Sequence, residues 1–244
     1  IRQNISLVWR EWTVNDHLLA LLQRLDHEEA DVYAFSVYIW NSTLVRVLSA
    51  ELKKIRPGAV IVWGGPEAFT RARQILEQES AVDYILCGEG EIALAELLMA
   101  LTGQLQPGPE KLAGLPGLAW RPDHGGAVIL NAQAPQLAGD EWPFAWSDAD
   151  LRQNRDRMLY YETSRGCPFG CSYCLSSLDR TMRFRSLALV FQALDRFIAA
   201  DVRQVKLVDR TFNCMPDRAA RIWQYLLNRC RTRPIRTNYH FEVA

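Results

Sequence analysis

The sequence predicts an α/β protein in which two regions of alternating strands and helices are joined by a linker. Three observations favour this fold class. Short apolar runs alternate with amphipathic helices over the first hundred residues, the alternation resumes at Leu159, and a segment rich in proline and glycine separates the two regions. Alternation of this kind indicates a parallel sheet with helices on both faces. The 244 residues suffice for one large domain or two smaller ones.

The first region, residues 1–103, is predicted from apolar patterning. Strands are predicted where apolar residues run continuously, and helices where they recur every three or four positions. The predicted strands cover residues 5–9, 32–38, 59–63 and 82–86. The predicted helices cover residues 16–26, 44–55, 69–78 and 91–101, with Asp16 as the cap of the first helix.

Residues 104–158 are predicted to form a linker that contains a β-hairpin, because the apolar runs 118–120 and 128–130 flank the turn residues 121–126. The second region, residues 159–244, has room for three βα units at about 30 residues each. Its predicted strands and helices cover residues 159–163, 187–200, 205–208, 217–228 and 239–243 in turn.

Charge and apolar content argue against two classes of function. The chain has 28 basic and 28 acidic residues, and this zero net charge argues against a protein that binds nucleic acid by neutralising phosphates. No stretch approaches 18 uninterrupted apolar residues and no signal peptide is visible, so no membrane span is expected. Both ends of the sequence fall in strand-like runs, which suggests a fragment of a longer protein.

Residues at the carboxyl ends of the predicted strands of the first region, and directly after them, are candidates for ligand binding. In a parallel sheet, ligands bind at the carboxyl ends of the strands, and glycine there lets the backbone approach a ligand closely. The candidates are Ser36, Tyr38, Gly64, Gly65, Pro66, Gly88, Glu89 and Gly90. The residues alone leave open whether these loops bind a ligand or are ordinary turns.

Three of the six cysteines lie within eight residues, directly after the first predicted strand of the second region. Cys167, Cys171 and Cys174 have the spacing CxxxCxxC, and Gly166 and Gly170 permit a tight loop around a metal centre. Structural zinc sites use four ligands, whereas three thiolates hold a 4Fe-4S cluster and leave one iron free for a non-protein ligand. Three thiols without a metal are the alternative.

This segment resembles the radical S-adenosylmethionine superfamily, in which CxxxCxxC follows the first strand of a barrel and an aromatic residue, here Tyr173, precedes the last cysteine. The resemblance implies that the three cysteines hold a 4Fe-4S cluster and that Tyr173 contacts S-adenosylmethionine. It also implies that the open iron binds S-adenosylmethionine, which the reduced cluster cleaves to a 5′-deoxyadenosyl radical. Such a cluster needs a reducing interior, so a cytoplasmic protein is expected.

The first region narrows the resemblance to the cobalamin-binding subgroup of this superfamily. Residues 32–41, 64–66 and 88–91, followed by a linker and the cysteine motif, are similar to that subgroup. Residues 160–169, 205–213 and 240–242 are similar to an uncharacterised bacterial branch that carries an extra C-terminal domain of unknown function. The resemblance implies a flavodoxin-like (Rossmann-like) domain without its first strand, which binds cobalamin through the candidates named above. It also implies the first three βα units of a partial TIM-type barrel.

Two acidic residues are candidate catalytic groups, because barrel active sites lie at the carboxyl ends of strands. Asp209 follows the second predicted barrel strand and is expected to face S-adenosylmethionine or the substrate, the alternative being a charge pair at a helix start. Glu242 lies near the end of the third strand and either points into the barrel or pairs with a nearby arginine. The other cysteines, which lack cluster spacing, are expected to be structural: Cys87, Cys214 and Cys230.

The resemblance implies radical methylation, in which methylcobalamin gives a methyl group to an unactivated carbon through a substrate radical. Related radical chemistry is the alternative, since some members of this family use the same cofactors for rearrangement or bond formation. The expected partners are a small-molecule substrate and an electron donor such as flavodoxin or ferredoxin, with neither nucleic acid nor a membrane. Two other functions stay open at this point. One is a cobalamin-binding module or sensor without catalysis, and the other is a cysteine-bound metal protein that transfers electrons or holds zinc.

Overall fold

The computed structural model describes residues 5–103, 105–122, 126–232 and 234–244. It divides the chain into two compact units, Ile1–Gln136 and Leu137–Ala244. The predicted linker, 104–158, is therefore shared between the two units. In the part of the chain that the structure describes, no helix is long and apolar enough to cross a membrane.

The first unit is built on one sheet with helices around it. Its strands are β1 (Val32–Ser36), β2 (Val60–Gly64), β3 (Tyr84–Leu86), β4 (Leu118–Trp120) and β5 (Ile129–Leu130). Its helices are α1 (Leu18–His27), α2 (Ser42–Ile55), α3 (Pro66–Thr70), α4 (Ala72–Gln78), α5 (Gly90–Leu101) and α6 (Pro109–Ala113). Strands β1, β2 and β3 are parallel neighbours, and the hairpin β4–β5 adds to β3 in the antiparallel direction.

Helices cover both faces of this sheet, as the sequence predicts. Successive side chains of a strand point to opposite faces. Ile61 and Trp63 of β2 lie in a buried apolar cluster with residues of α1, α2 and α4. Val60 and Val62 lie in a second cluster with residues of α5 and α6. The fold is thus α/β with a mixed sheet, consistent with a flavodoxin-like architecture.

Two predictions at the start of the chain were wrong. Residues 5–9 form no strand, and Leu7 and Trp9 are exposed, because an apolar run becomes a strand only when a neighbouring strand pairs with it. Asp16 does not cap α1; its Oδ2 accepts a hydrogen bond from the Thr13 backbone N–H at 2.7 Å and closes the preceding turn. The predicted helix 69–78 is split into α3 and α4 at Arg71, whose backbone is not helical.

The second unit contains a parallel sheet and a short antiparallel pair. Its strands are β6 (Met158–Tyr161), β7 (Ser164–Arg165), β8 (Arg183–Phe184), β9 (Gln204–Leu207) and β10 (Asn238–His240). Its α-helices are α7 (Asp148–Gln153), α8 (Leu187–Ala199) and α9 (Pro216–Thr232). Short 3-10 turns cover Gly139–Glu141, Leu175–Leu178 and Phe212–Cys214. Strands β6, β9 and β10 are parallel and adjacent in chain order, with α8 and α9 between them, which matches two consecutive βα units and the strand of a third among the described residues.

The parallel strands of the second unit pack against α8 and α9. Phe197 of α8, Ile222 of α9 and Leu207 of β9 are fully buried in one apolar cluster. The rings of Phe191 and Tyr225 stack at 4.0 Å between their centroids and join the two helices. The predicted turn of the hairpin β4–β5 includes Asp123, His124 and Gly125, which lie outside the described residues.

Candidate functional site

The candidate cobalamin-binding residues lie at the carboxyl ends of three strands of the first sheet and in the segments that lead from them into the next helices. Because β1, β2 and β3 are parallel neighbours, their carboxyl ends share one edge of that sheet. The backbone N–H of Val37, directly after β1, donates to the Gly64 carbonyl at 2.7 Å. Gly65 has φ of +93°, and a Cβ placed there would lie 2.7 Å from the Val37 carbonyl oxygen. The first two of these segments are therefore in close backbone contact, and only glycine fits at position 65.

The loop after β1 is held by an asparagine that the sequence reasoning missed. The side chain of Asn41 accepts a hydrogen bond from the Tyr38 backbone N–H at 2.7 Å and donates one to the Ser36 carbonyl at 2.9 Å. The rings of Tyr38 and Trp40 stack at 4.6 Å. Ile39 and Trp40 are 78% and 68% exposed. An asparagine that closes a tight turn is the signal that could have found this position.

The loop after β3 leads directly into a helix. Gly88 has φ of +89°, Glu89 occupies the N-cap position of α5 without a side-chain capping hydrogen bond, and Gly90 is the first residue of the helix. Burial raises the pKa of the Cys87 thiol to about 11, which fits the structural role expected for that residue. The structure thus places the predicted residues of this loop beside those after β1 and β2, while their contact with cobalamin stays a prediction.

The cysteine motif lies in the connection between β7 and β8, residues 166–182, which we call the cluster loop. Strand β7 pairs antiparallel with β8, so the loop is the turn of a wide hairpin. Gly166 has φ of +89°, and a Cβ there would lie 2.4 Å from the Thr181 carbonyl oxygen. The Cys167 backbone N–H donates to the Asp179 carbonyl at 3.0 Å. The two ends of the loop are therefore pinned together next to the first cysteine.

The three cysteines of the motif differ in exposure. Cys167 is buried, Cys171 is exposed and Cys174 is half-buried, and the Cys174 backbone N–H donates to the Cys171 carbonyl at 3.1 Å. Tyr173, the predicted contact of S-adenosylmethionine, is 91% exposed. Among the described residues, no three His, Cys, Asp or Glu side chains are grouped to hold a single ion.

The donor set of the cluster loop fits a 4Fe-4S cluster. Each thiolate of such a cluster binds a different iron, so its sulfurs do not have to converge on one point. Three thiols on one glycine-containing loop, pinned at its base and open at Cys171, meet the chemical requirement. The ligand role of the three cysteines stays a prediction.

Asp209 lies after β9 and fastens the start of the cluster loop. Its side chain is fully buried, and Oδ1 accepts hydrogen bonds from the Thr163 backbone N–H at 3.0 Å, Thr163 Oγ1 at 2.8 Å and Ser164 Oγ at 2.6 Å. Burial raises the pKa of this carboxyl, although the hydrogen bonds oppose the shift. In the described residues Oδ2 has no hydrogen-bond partner. The contacts are those of a positioning residue, and the catalytic role predicted for Asp209 is untested.

Glu242 pairs with a neighbouring strand. Its carboxylate accepts a hydrogen bond from Lys206 Nζ of β9 at 2.8 Å, which lowers the pKa of Glu242. The sequence reasoning expected either a barrel-facing carboxylate or an arginine partner, and the observed partner is a lysine. The predicted catalytic role of Glu242 remains a prediction. Of the two other cysteines of this unit, Cys214 is half-buried and Cys230 is exposed on α9.

Trp142 and three arginines form a second feature that the sequence reasoning missed. Trp142 is buried, and the guanidinium carbons of Arg165, Arg183 and Arg185 lie 4.6, 5.9 and 5.8 Å from its ring. Arg183 also donates to the Leu137 carbonyl at 2.8 Å, and Arg185 donates to the Trp142 carbonyl. Part of the predicted linker is therefore packed against the hairpin that carries the cluster loop.

Comparison with known proteins agrees with this geometry. Residues 7–98 match the B12-binding family, described as the B12 binding domain. The chain is 30% identical over 199 residues to the cobalamin-dependent radical SAM methyltransferase TokK of Streptomyces tokunonensis. This chain belongs to the cobalamin-binding radical S-adenosylmethionine superfamily. The aligned residues cover 77% of this chain and 28% of TokK.

Two further matches extend the comparison. The chain is also 29% identical over 200 residues to the 2-(S-pantetheinyl)-carbapenam-3-carboxylate methyltransferase of Streptantibioticus cattleyicolor. The aligned residues cover 77% of this chain and 28% of that enzyme. The chain thus spans about a quarter of the length of these curated relatives. The structure of TsrM from Kitasatospora setae, with cobalamin and a 4Fe-4S cluster bound, superposes with a TM-score of 0.63 at 20% identity. The match covers 88% of the chain and 44% of TsrM, and it supports the fold assignment.

Proposed function

We propose that this chain is the cofactor-binding part of a cobalamin-dependent radical S-adenosylmethionine methyltransferase. The observation that carries the proposal is the pairing of two features in one chain. A B12-binding domain occupies residues 7–98, and the cluster loop follows the first strand of a parallel βα sheet in the second unit. The names of TokK and of the carbapenam methyltransferase support methyl transfer as the reaction class.

In this proposal, Cys167, Cys171 and Cys174 hold the 4Fe-4S cluster and the exposed ring of Tyr173 contacts S-adenosylmethionine. The three loops at the carboxyl edge of the first sheet hold cobalamin. When bound, these groups supply the electron that splits S-adenosylmethionine into a 5′-deoxyadenosyl radical and the methyl group that is transferred. Asp209 and Glu242 are proposed to act near the substrate side of the second unit.

The residues of the chain orient these groups. Gly65 allows the backbone after β2 to approach the loop after β1, and Asn41 fixes the conformation of that loop. Asp209 holds Thr163 and Ser164, and thereby the start of the cluster loop. Both arrangements keep backbone and side-chain donors fixed before a cofactor binds, which reduces the ordering that binding requires.

The proposal includes partners and a compartment. A small molecule is the substrate, and flavodoxin or ferredoxin supplies the electron. Because the cluster needs a reducing environment, the proposed location is the cytoplasm. The balance of 28 basic and 28 acidic residues supports a substrate other than nucleic acid.

Anaerobic reconstitution of the full-length protein with iron, sulfide and hydroxocobalamin tests this function. We expect about four irons per chain, retained cobalamin, a spectrum that changes on addition of S-adenosylmethionine, and release of 5′-deoxyadenosine. Cys171→Ala should abolish cleavage of S-adenosylmethionine, whereas Cys230→Ala, which changes an exposed cysteine on α9, should leave it unchanged.

The other functions predict different outcomes. Retained cobalamin without any 5′-deoxyadenosine indicates a binding module or sensor. A single bound zinc without binding of S-adenosylmethionine indicates a structural metal site. Cleavage of S-adenosylmethionine by Cys171→Ala contradicts the proposal directly.

A further inference from the structure

The segment after β9 reaches the cluster loop at a second point, beyond the contacts of Asp209. Thr211 Oγ1 lies 3.7 Å from Cys167 Sγ, and both side chains are buried. In the free thiol form either atom could donate the hydrogen bond. A cysteine that ligates iron is a thiolate and has no proton, so the hydroxyl of Thr211 is then the donor.

Contacts of the residues before and after Thr211 in the chain fix the position of its hydroxyl. Two residues earlier, Asp209 is fastened to Thr163 and Ser164. One residue later, Phe212 is buried, and its backbone N–H donates to the Glu242 carbonyl at 2.8 Å. The Cys214 backbone N–H also donates to the Thr211 carbonyl at 3.2 Å. A hydroxyl held in this way does not need to be ordered when the thiolate forms.

The partner sulfur is also fixed. Gly166 packs against the Thr181 carbonyl, and the Cys167 backbone N–H donates to Asp179. Hydrogen bonds to cluster sulfurs are among the features that set the reduction potential of an iron–sulfur cluster. Because a donor stabilises negative charge on sulfur, it favours the reduced cluster and raises the potential.

We propose that Thr211 is a positioning residue that donates a hydrogen bond to the Cys167 thiolate and thereby raises the reduction potential of the 4Fe-4S cluster. This inference rests on the proposed function. The reaction affected is the one-electron reduction of the cluster by the external donor protein. No bond to carbon or sulfur forms or breaks in this step, and Thr211 keeps its proton.

Redox titration of the reconstituted protein, followed by electron paramagnetic resonance, tests this inference. Thr211→Val removes the hydroxyl at nearly constant volume and should shift the midpoint potential to a more negative value. Thr211→Ser keeps the hydroxyl and should stay near the wild-type potential. Thr102→Val is the control, because that hydroxyl, directly after α5 in the first unit, donates to the Leu98 carbonyl and should not affect the cluster.

A second readout is independent of activity and can be recorded on the wild-type protein as well as on the variant. Electron–nuclear double resonance of the reduced wild-type cluster should show an exchangeable proton coupled to it that disappears in D2O, and Thr211→Val should lack this signal. If Thr211→Val assembles no cluster, the wild-type spectrum decides, and absence of the coupled proton overturns the inference.

The failure of this inference is distinguishable from failure of the proposed function. A wild-type cluster that cleaves S-adenosylmethionine, together with an unchanged potential in Thr211→Val, overturns the role of Thr211 alone. A wild-type protein that binds no four-iron cluster overturns both.

Discussion

At the scale of single residues, Asp209 carries the densest set of contacts near the cysteine motif. One oxygen receives three hydrogen bonds from Thr163 and Ser164, although about 45 residues separate them along the chain. The contact joins the carboxyl end of β9 to the start of the cluster loop. Under the proposed function, this carboxylate would act by holding the strand that leads into the cluster loop, without touching a ligand.

Removal of this carboxylate should destabilise the second unit. Asp209→Ala leaves the buried donors of Thr163 and Ser164 without an acceptor, and the expected loss in the free energy of unfolding is roughly 2–4 kcal/mol. Asp209→Asn keeps the accepting oxygen and should lose less than half as much. Urea unfolding at pH 7 measures both. An Asp209→Ala protein as stable as the wild type would show that the hydrogen bonds of Asp209 do not contribute to the free energy of unfolding.

The same carboxyl should make stability depend on pH in a particular direction. Because burial raises the pKa of Asp209 above its ordinary value of 3.8, the folded chain binds a proton more tightly than the unfolded chain. The contribution of the Asp209 carboxyl to the free energy of unfolding is therefore largest below pH 3.8, and it declines as the pH rises through the pKa of this carboxyl in the folded chain. Asp209→Asn lacks a titrating carboxyl, so unfolding measured across this range should show a weaker decline than in the wild type. An identical slope would contradict the assignment.

At the scale of elements, the sequence predicted helices more accurately than the ends of strands. The predicted helix 187–200 agrees with α8 within one residue, because the spacing of apolar residues along a helix is a local property. Strand ends were less accurate: the predicted strand 239–243 corresponds to β10, which ends at His240. A strand ends where its neighbour ends, and apolar residues do not encode that limit.

Long-range contacts explain what the sequence could not show about the site. The spacing of the cysteines and the glycines after β2 and β3 predicted where the loops lie. The contacts of Asp209 with Ser164 and of Thr211 with Cys167 join segments more than 40 residues apart, and no local pattern marks them. The antiparallel pairing of β4 with β3 is of the same kind.

The turn after β2 should be intolerant of any side chain. Gly65→Ala combines a positive φ with a Cβ 2.7 Å from the Val37 carbonyl oxygen, so a loss of at least about 2 kcal/mol is expected. Weaker binding of hydroxocobalamin should accompany this loss. Gly58→Ala is the control, because no atom lies within 4 Å of a Cβ there. Thermal unfolding and absorbance titration measure the two effects, and equal behaviour of both variants would contradict this account.

At the scale of the whole molecule, each unit has an apolar core made of its own residues. The two clusters of the first unit contain described residues from Trp12 to Ala134, and the cluster of the second unit contains described residues from Phe144 to Phe241. Burial of apolar side chains is the main favourable contribution to folding. Each unit therefore has its own source of stability.

The two units should fold when they are produced separately. Residues 1–136 are expected to unfold cooperatively on heating and to retain hydroxocobalamin, and residues 137–244 are expected to show helical circular dichroism without cobalamin. Circular dichroism and gel filtration with bound-cobalamin absorbance are the measurements. An unfolded first unit, or cobalamin retained only by the second, would contradict the division.

The order of the strands has a consequence for biosynthesis. In the first sheet the neighbours run β1, β2, β3, β4, β5, and in the parallel sheet of the second unit they run β6, β9, β10, so spatial order follows chain order. Each later strand of these two sheets therefore emerges from the ribosome after the described neighbour that precedes it in the sheet. The described strands of the first sheet can pair in the order in which they are made, and the last of them is available once Leu130 has emerged.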